Sequence, residues 1–312
     1  MTVDAARRPG HGLDSGASMR SACARVQNGA MSVTESRTVD VEAATLRDPK
    51  QLMFATLGEQ CVMDVRGPVR AAAYVALMAG ASVNPATTRA KLDRLVVEGY
   101  LVRTRSVRGV EYELTTVGDE LLRGIQARMD AAQPFAPRGA GWTLVTFSVP
   151  EQQRAARHRL RGALVWEGFA PVRDGLWVAP GDVDLDAALE PMRDELADSS
   201  VVVFRAYDRP TYSLTAIAAD AWDLDAARRA HQAFAAEWAE DGRRGGPYAK
   251  TAVGSLILLS VDWHALLKAD PRLPEEYLAD DWPADISTAI YCARRDELIE
   301  AARTEFQSVV TR

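Results

Sequence analysis

Residues 84–122 read "NPATTRAKLDRLVVEGYLVRTRSVRGVEYELTTVGDELL", and the order of local signals in this stretch decides the fold. Asn84-Pro85 spells a helix N-cap followed by a first-turn proline. Thr88, Leu92, Leu95 and Val96 then fall on one face of a 3.6-residue wheel, and Gly99 offers a left-handed stop. "YLVRTRSV" and "VEYELT" alternate as strands, with Arg108-Gly109 at a hairpin tip. Thr115 caps a further helix, "TVGDELLRGIQARM". Upstream, "DPKQLMFATLGEQCV" carries Leu52, Phe54, Ala55 and Leu57 at near-helical spacing. "GPVRAAAYVALMAG" reads as a second helix from Pro68 to Gly80. Helix, helix, helix, hairpin, helix over residues 46–132 is the order of a winged helix-turn-helix.

The charges of this stretch set it apart from the rest of the chain, whose formal net charge is -6. Between Asn84 and Tyr112 six basic residues (Arg89, Lys91, Arg94, Arg103, Arg105 and Arg108) face three acidic ones (Asp93, Glu98 and Glu111). On the wheel Arg94 lies nearly opposite the apolar face, flanked by Thr87, Ala90 and Lys91. Arg89 falls at the edge of that face, where a carboxylate within the domain competes for it. A helix that reads DNA needs this division, with one side anchored and the other carrying donors to base edges and phosphates. Arg103, Arg105 and Arg108 stand where a wing meets the neighbouring backbone. The alternative is that these charges are simply solvated and keep an exposed strand edge soluble.

After the linker "DAAQPFAPRGAG" (boundaries 133–141) a new pattern begins. "WTLVTFSVP", an amphipathic "EQQRAARHRLRGALVWEG", "FAPV", "GLWVAP", a helical "DLDAALEPMRDEL" and "SVVVFRAY" give β-α-β-β-α-β, a ferredoxin-like order, over 142–212. Residues 213–312 read as helical, with "LDAARRAHQAFAAEWAE", "KTAVGSLILLSVDWHALLKA" and a long closing helix. The fold class is therefore α+β and multidomain. Residues 1–45 are small, polar and aperiodic; they read as a disordered tail, and Met19 or Met31 as an alternative start.

Several functions are disfavoured. No run approaches the roughly 18–20 apolar residues of a membrane span. Three cysteines (Cys23, Cys61, Cys292) and four histidines (His11, His158, His231, His264) are scattered, with no metal-ligand spacing, and a reducing cytoplasm fits them. Neither a metal nor a catalytic residue is expected, since no nucleophile elbow, P-loop or dinucleotide fingerprint occurs. Asp182, Asp184 and Asp186, and Asp280 and Asp281, read as acids preceding helices.

"NPATTRAKLDRLVVEGYL" resembles the recognition helix of the PaaX-type repressors of phenylacetate catabolism. There a similar Asn, Arg, Arg-Leu and Glu-Gly-aromatic-Leu recur, here Asn84, Arg89, Arg94-Leu95 and Glu98-Gly99-Tyr100-Leu101. "WTLVTFSVPEQQRAARHRLRGALVWEGFAPVRDGLWVAP" is similar to the family's middle segment. "DWHALLKADPRLPEEYLADDWP" is similar to its Asp-Pro-x-Leu-Pro…Asp-Trp-Pro loop. The Ala-rich second helix, the tail and "DGRRGGPY" depart from the pattern. The resemblance implies a homodimeric repressor on a palindromic double-stranded operator, released by an acyl-coenzyme A such as phenylacetyl-coenzyme A. One or two of Trp166, Trp177, Trp222, Trp238, Trp263 and Trp282 would line the effector pocket, at the boundary of the middle and last domains. The middle domain is also similar to CRISPR-type nuclease subunits that hold a metal on an aspartate ending the first strand. Ser148 stands at that point, which argues against a metal-dependent nuclease. A DNA-binding adaptor without a ligand is the third possibility.

Overall fold

The computed structural model describes residues 47–107, 109–173, 175–196, 200–207, 218 and 220–311. The tail expected over residues 1–45 and the hairpin-tip Arg108 lie outside the described residues.

The first segment runs α1 (Pro49–Val62), β1 (Val69–Arg70), α2 (Ala71–Gly80), α3 (Pro85–Val97), β2 (Leu101–Ser106), β3 (Gly109–Leu114) and α4 (Thr116–Met129). Capping side chains start the helices where the sequence places them. Asp48 accepts from the Lys50 amide at 2.9 Å, Asn84 from Thr87 at 2.9 Å, and Thr115 from Gly118 at 3.0 Å. Gly99 takes φ +81° just beyond α3, a backbone conformation that favours glycine. One expectation is corrected. The second helix ends at Gly80 as expected but begins at Ala71 rather than Pro68: Val69 and Arg70 pair antiparallel with Tyr112 and Glu111, giving a three-stranded sheet ordered β1-β3-β2. That pairing reaches across two helices, so periodicity within a short window carries no trace of it.

The second segment holds β4 (Trp142–Ser148), α5 (Arg154–Trp166), β5 (Ala170–Arg173), β6 (Leu176–Pro180), α6 (Asp186–Leu189) and β7 (Ser200–Ala206). Its sheet is ordered β5-β6-β4-β7, and every neighbouring pair is antiparallel. Ala156, Leu160 and Leu164 of α5 join Val145, Trp177 and Ala179 in its core. The helix expected over "DLDAALEPMRDEL" is shorter than its pattern. α6 gives way to a tight turn at Glu190–Met192, where Pro191 removes a backbone donor.

The third segment contributes α7 (Leu224–Trp238), α8 (Ala252–Ala269) and α9 (Ala284–Thr311). By length and composition alone α8 is apolar enough to cross a membrane, with 18 residues at mean hydropathy 1.3. This corrects the expectation that no run approaches such a length: Asp262, His264 and Lys268 lie within the stretch without lowering its mean hydropathy below that of a span. In the fold α8 packs against α1, α2, α7 and α9. It is apolar almost all round because it is buried almost all round.

First and third segments share one hydrophobic core, in which Met53, Leu57, Tyr74 and Met78 meet Ile257, Leu259, Trp263, Tyr291 and Phe306. At the tightest point, α2 and the start of α8 touch backbone to backbone. The Gly80 carbonyl accepts from the Lys250 amide at 2.8 Å, and a Cβ on Gly254 would run into that carbonyl. Deeper in, Arg295 donates to both carboxylate oxygens of Glu59, at 3.0 and 3.3 Å, and Ser260 donates to Glu59 at 2.7 Å. Burial pulls the Arg295 pKa down most strongly, yet the charge and hydrogen bond of Glu59, with Tyr291 and Asp130, together outweigh it and hold the guanidinium above its ordinary range. Near the chain's first described residue, Arg47 grips Asp262 at 2.6 and 2.7 Å, and Trp238 donates to the same carboxylate at 2.8 Å.

Arg295→Ala leaves Glu59, only 2% exposed, without its counter-ion. The expected loss of stability is about 3–5 kcal/mol, read as a lower urea midpoint of the helical signal. An unchanged midpoint would show that this pair does not fasten α1 to α9.

Candidate nucleic-acid interface

The inward side of α3 is fixed by Thr88, Leu92 and Leu95, all at most 1% exposed. Its outward side presents Ala86, Arg89, Ala90, Asp93, Arg94 and Val97 to solvent. The small alanines leave a shallow centre, with Arg89 on one flank and Arg94 on the other. Thirteen residues make this ridge about 20 Å long, and a B-DNA major groove admits a helix of such dimensions.

The candidate side chains occupy three different settings. Arg94 donates to Glu98 at 2.8 Å, and Glu98 also pairs with Lys50 at 2.9 Å. The Lys50 hydrogen bond, assisted by Arg94 and opposed by desolvation, holds the Glu98 carboxyl below the usual carboxylate range. Thr87 and Lys91 are half-buried, and Lys91 leans towards Asp48 at 3.8 Å. Arg89 is exposed and makes no ion pair among the described residues, so the carboxylate expected to compete for it is not found there.

The hairpin lies beside α3 with Leu101, Arg103 and Arg105 on one face of β2. Arg103 donates to Asp93 at 3.1 Å, and the Tyr112 hydroxyl donates to the same oxygen at 2.9 Å. Arg103 and Tyr112 are register partners across β2 and β3, so Asp93 ties both strands to the helix. Burial, reinforced by Asp93, pushes the Tyr112 hydroxyl up to about 12. Arg105 is exposed, opposite Val110, and makes no ion pair among the described residues.

Asp93 is the residue that charge counting treated only as an offset. Its position on an otherwise neutral and basic outward face is the one sequence feature that marks it. The arrangement thus offers Arg89 and Arg105 as cations without an ion pair among the described residues, with Arg94 paired to Glu98, Arg103 paired to Asp93 and Arg108 not described.

Elsewhere the chemistry-bearing residues are occupied structurally. Ser148 ends β4 exposed, opposite Ser200, and no cluster of three or more His, Cys, Asp or Glu side chains suits a metal among the described residues. Asp182 pairs with Arg205, Asp184 accepts from the Asp186 amide at 2.9 Å, and Asp281 pairs with Arg228 at 2.9 Å. A Ser-His-Asp chain does form, and its spacing hid it. His231 bridges Ser287 at 2.8 Å and Asp270 at 2.9 Å. All three are buried, His231 completely, so no substrate reaches the serine. Of the tryptophans, Trp238 and Trp263 are core. Trp222 stacks on Trp142 at 6.2 Å, and Tyr277 meets Trp142 edge-on at 5.4 Å, along the seam between the central sheet and the C-terminal segment.

Three family models match the chain in order. Residues 49–118 match the model described as PaaX-like protein, 136–216 the PaaX protein central Cas2-like domain, and 222–308 the PaaX-like protein C-terminal domain. Among solved structures, the uncharacterized protein Rv0674 from Mycobacterium tuberculosis is similar, with a TM-score of 0.52 at 23% identity. The match covers 82% of this chain and 97% of that one, and at this identity it speaks for the fold alone. No curated protein matches. With all three of its segments present in sequence, the chain belongs to the PaaX-like family of regulators.

Proposed function

We propose that this chain is a DNA-binding transcriptional repressor that lays α3 in a major groove of a palindromic operator. The carrying observation is the exposed ridge of α3, with Arg89 and Arg94 on its flanks and Arg105 on the adjoining strand, in a chain of net negative charge. In this reading residues 46–132 form a winged helix-turn-helix with β2 and β3 as the wing. Residues 142–212 form a ferredoxin-like domain that dimerises, supported by the strand order β5-β6-β4-β7. Residues 213–312 form the helical domain. A homodimer places two α3 helices about one turn of DNA apart, or a multiple of it. Acting in the cytoplasm, the protein targets an aromatic-acid catabolic operon of the phenylacetate type, and an acyl-coenzyme A such as phenylacetyl-coenzyme A releases it. Family membership supports that assignment.

Binding to the operator, followed by fluorescence anisotropy over a range of salt, tests the DNA surface residue by residue. Arg94→Ala is expected to cost about 1–3 kcal/mol and to relax base preference. Arg105→Ala weakens binding evenly across sequences and lowers the slope of log affinity against log salt by about 1. Arg103→Ala lowers that slope less, because Asp93 already matches its charge. If all three variants bind like the wild type, α3 and β2 are not the surface.

The ligand arm has its own test. Phenylacetyl-coenzyme A must bind the DNA-free protein more tightly than the operator complex, by the same factor with which it weakens operator binding. Equal affinity for both forms removes the effector from the account.

A further inference from the structure

The Asp-Pro-Arg-Leu-Pro loop after α8 and the Asp-Trp-Pro before α9 serve no part of the DNA surface. Asp270 organises both. One of its oxygens contacts His231 Nε2 at 2.9 Å and accepts from Trp282 Nε1 at 3.0 Å. The other accepts from the Arg272 amide at 2.7 Å. This hold places Arg272 at φ +54°, a left-handed conformation uncommon outside glycine. Its Nη2 donates to the Leu267 carbonyl at 2.9 Å, while its Nε is buried with no hydrogen-bond partner. A strained backbone that presents a buried, unmatched guanidinium donor is a costly arrangement for a loop that only connects two helices.

Arg272 lines a narrow cleft where four parts of the chain meet. Arg128 comes from the end of α4, Arg138 from the linker, Gly168 and Pro180 from the central segment, and Lys268 and Arg272 from the C-terminal segment. The two carboxylates in its lining are committed, Glu167 to Arg128 at 2.6 Å and Asp270 to the contacts just described. Arg138 is exposed and makes no ion pair among the described residues. Burial lowers the Arg272 pKa, and the charges of Arg128 and Arg138 lower it further. Burial also lowers that of His264, with Lys268, Arg128 and Arg272 adding to it. Cations gathered around a buried donor repel one another, and an oxyanion turns that repulsion into attraction while supplying the missing acceptor.

We propose that this cleft is a binding site for an oxyanion of a small molecule, a phosphate or a carboxylate, with Arg272 and Arg138 as donors. Because its walls come from all three segments, occupancy bears directly on how the central sheet sits against the linker that leaves α4. In the regulator reading, the charged end of the effector acts here. That consequence rests on the regulator reading; oxyanion binding does not.

Calorimetric titration of the full-length protein with pyrophosphate, and separately with phenylacetate, distinguishes the two oxyanion sources. One probe is expected to bind, and Arg272→Gln and Arg138→Gln each to weaken it about tenfold or more. Arg138→Gln decides the matter if Arg272→Gln fails to fold, since the Arg138 side chain is exposed. No binding of either probe at millimolar concentration, or undiminished binding to Arg138→Gln, overturns the site. Operator binding by the wild type, measured in parallel, separates the two ideas. Its absence with oxyanion binding intact would count against the regulator and leave the cleft standing.

Discussion

The close approach of Gly80 to Gly254 governs how everything at the N-terminal end is held. Only glycines on both sides let the end of α2 and the first turn of α8 meet through their backbones. That contact, together with the buried pair of Glu59 and Arg295, makes α1, α2, α8 and α9 one packed unit rather than two domains on a tether. α3 is seated on α1 and α2. The orientation of its exposed ridge is therefore set by helices that lie more than a hundred residues downstream.

Local chemistry was legible in the sequence, and long-range pairing was not. Asn84, Thr115 and Gly99 act through bonds and dihedrals a few residues away, so the boundaries of α3, the hairpin and α4 could be read directly. β1 could not, because its partners Tyr112 and Glu111 lie beyond two helices. Pro191 lies inside the stretch expected to be helical, and the helix stops at Leu189, two residues before it. At the candidate surface the wheel separated Leu92 and Leu95 from Arg94 correctly. It had no means of showing that Lys91 leans on Asp48 or that Asp93 binds Arg103 and Tyr112, since those partners belong to other elements.

The third motif gains a physical meaning from the same distinction. Asp270, His231, Ser287 and Trp282 are scattered in sequence, and they converge on one buried network. Leu273 and Tyr277, from the same loop, pack on Trp142 and Val178 of the central sheet. The loop thus packs between segments, and the cleft lined by Arg272 lies beside it. A rigid N-terminal unit joined to a central sheet through one clamped seam has a natural place to be biased by a ligand.

Amide hydrogen exchange on the full-length protein, with and without an operator duplex, tests the central claim most directly. DNA-induced protection is predicted over Pro85–Val97 and Leu101–Ser106, with α8 and α9 already slow to exchange in both states. Protection that falls on the central sheet or the C-terminal helices, with α3 and β2 unchanged, would contradict the account.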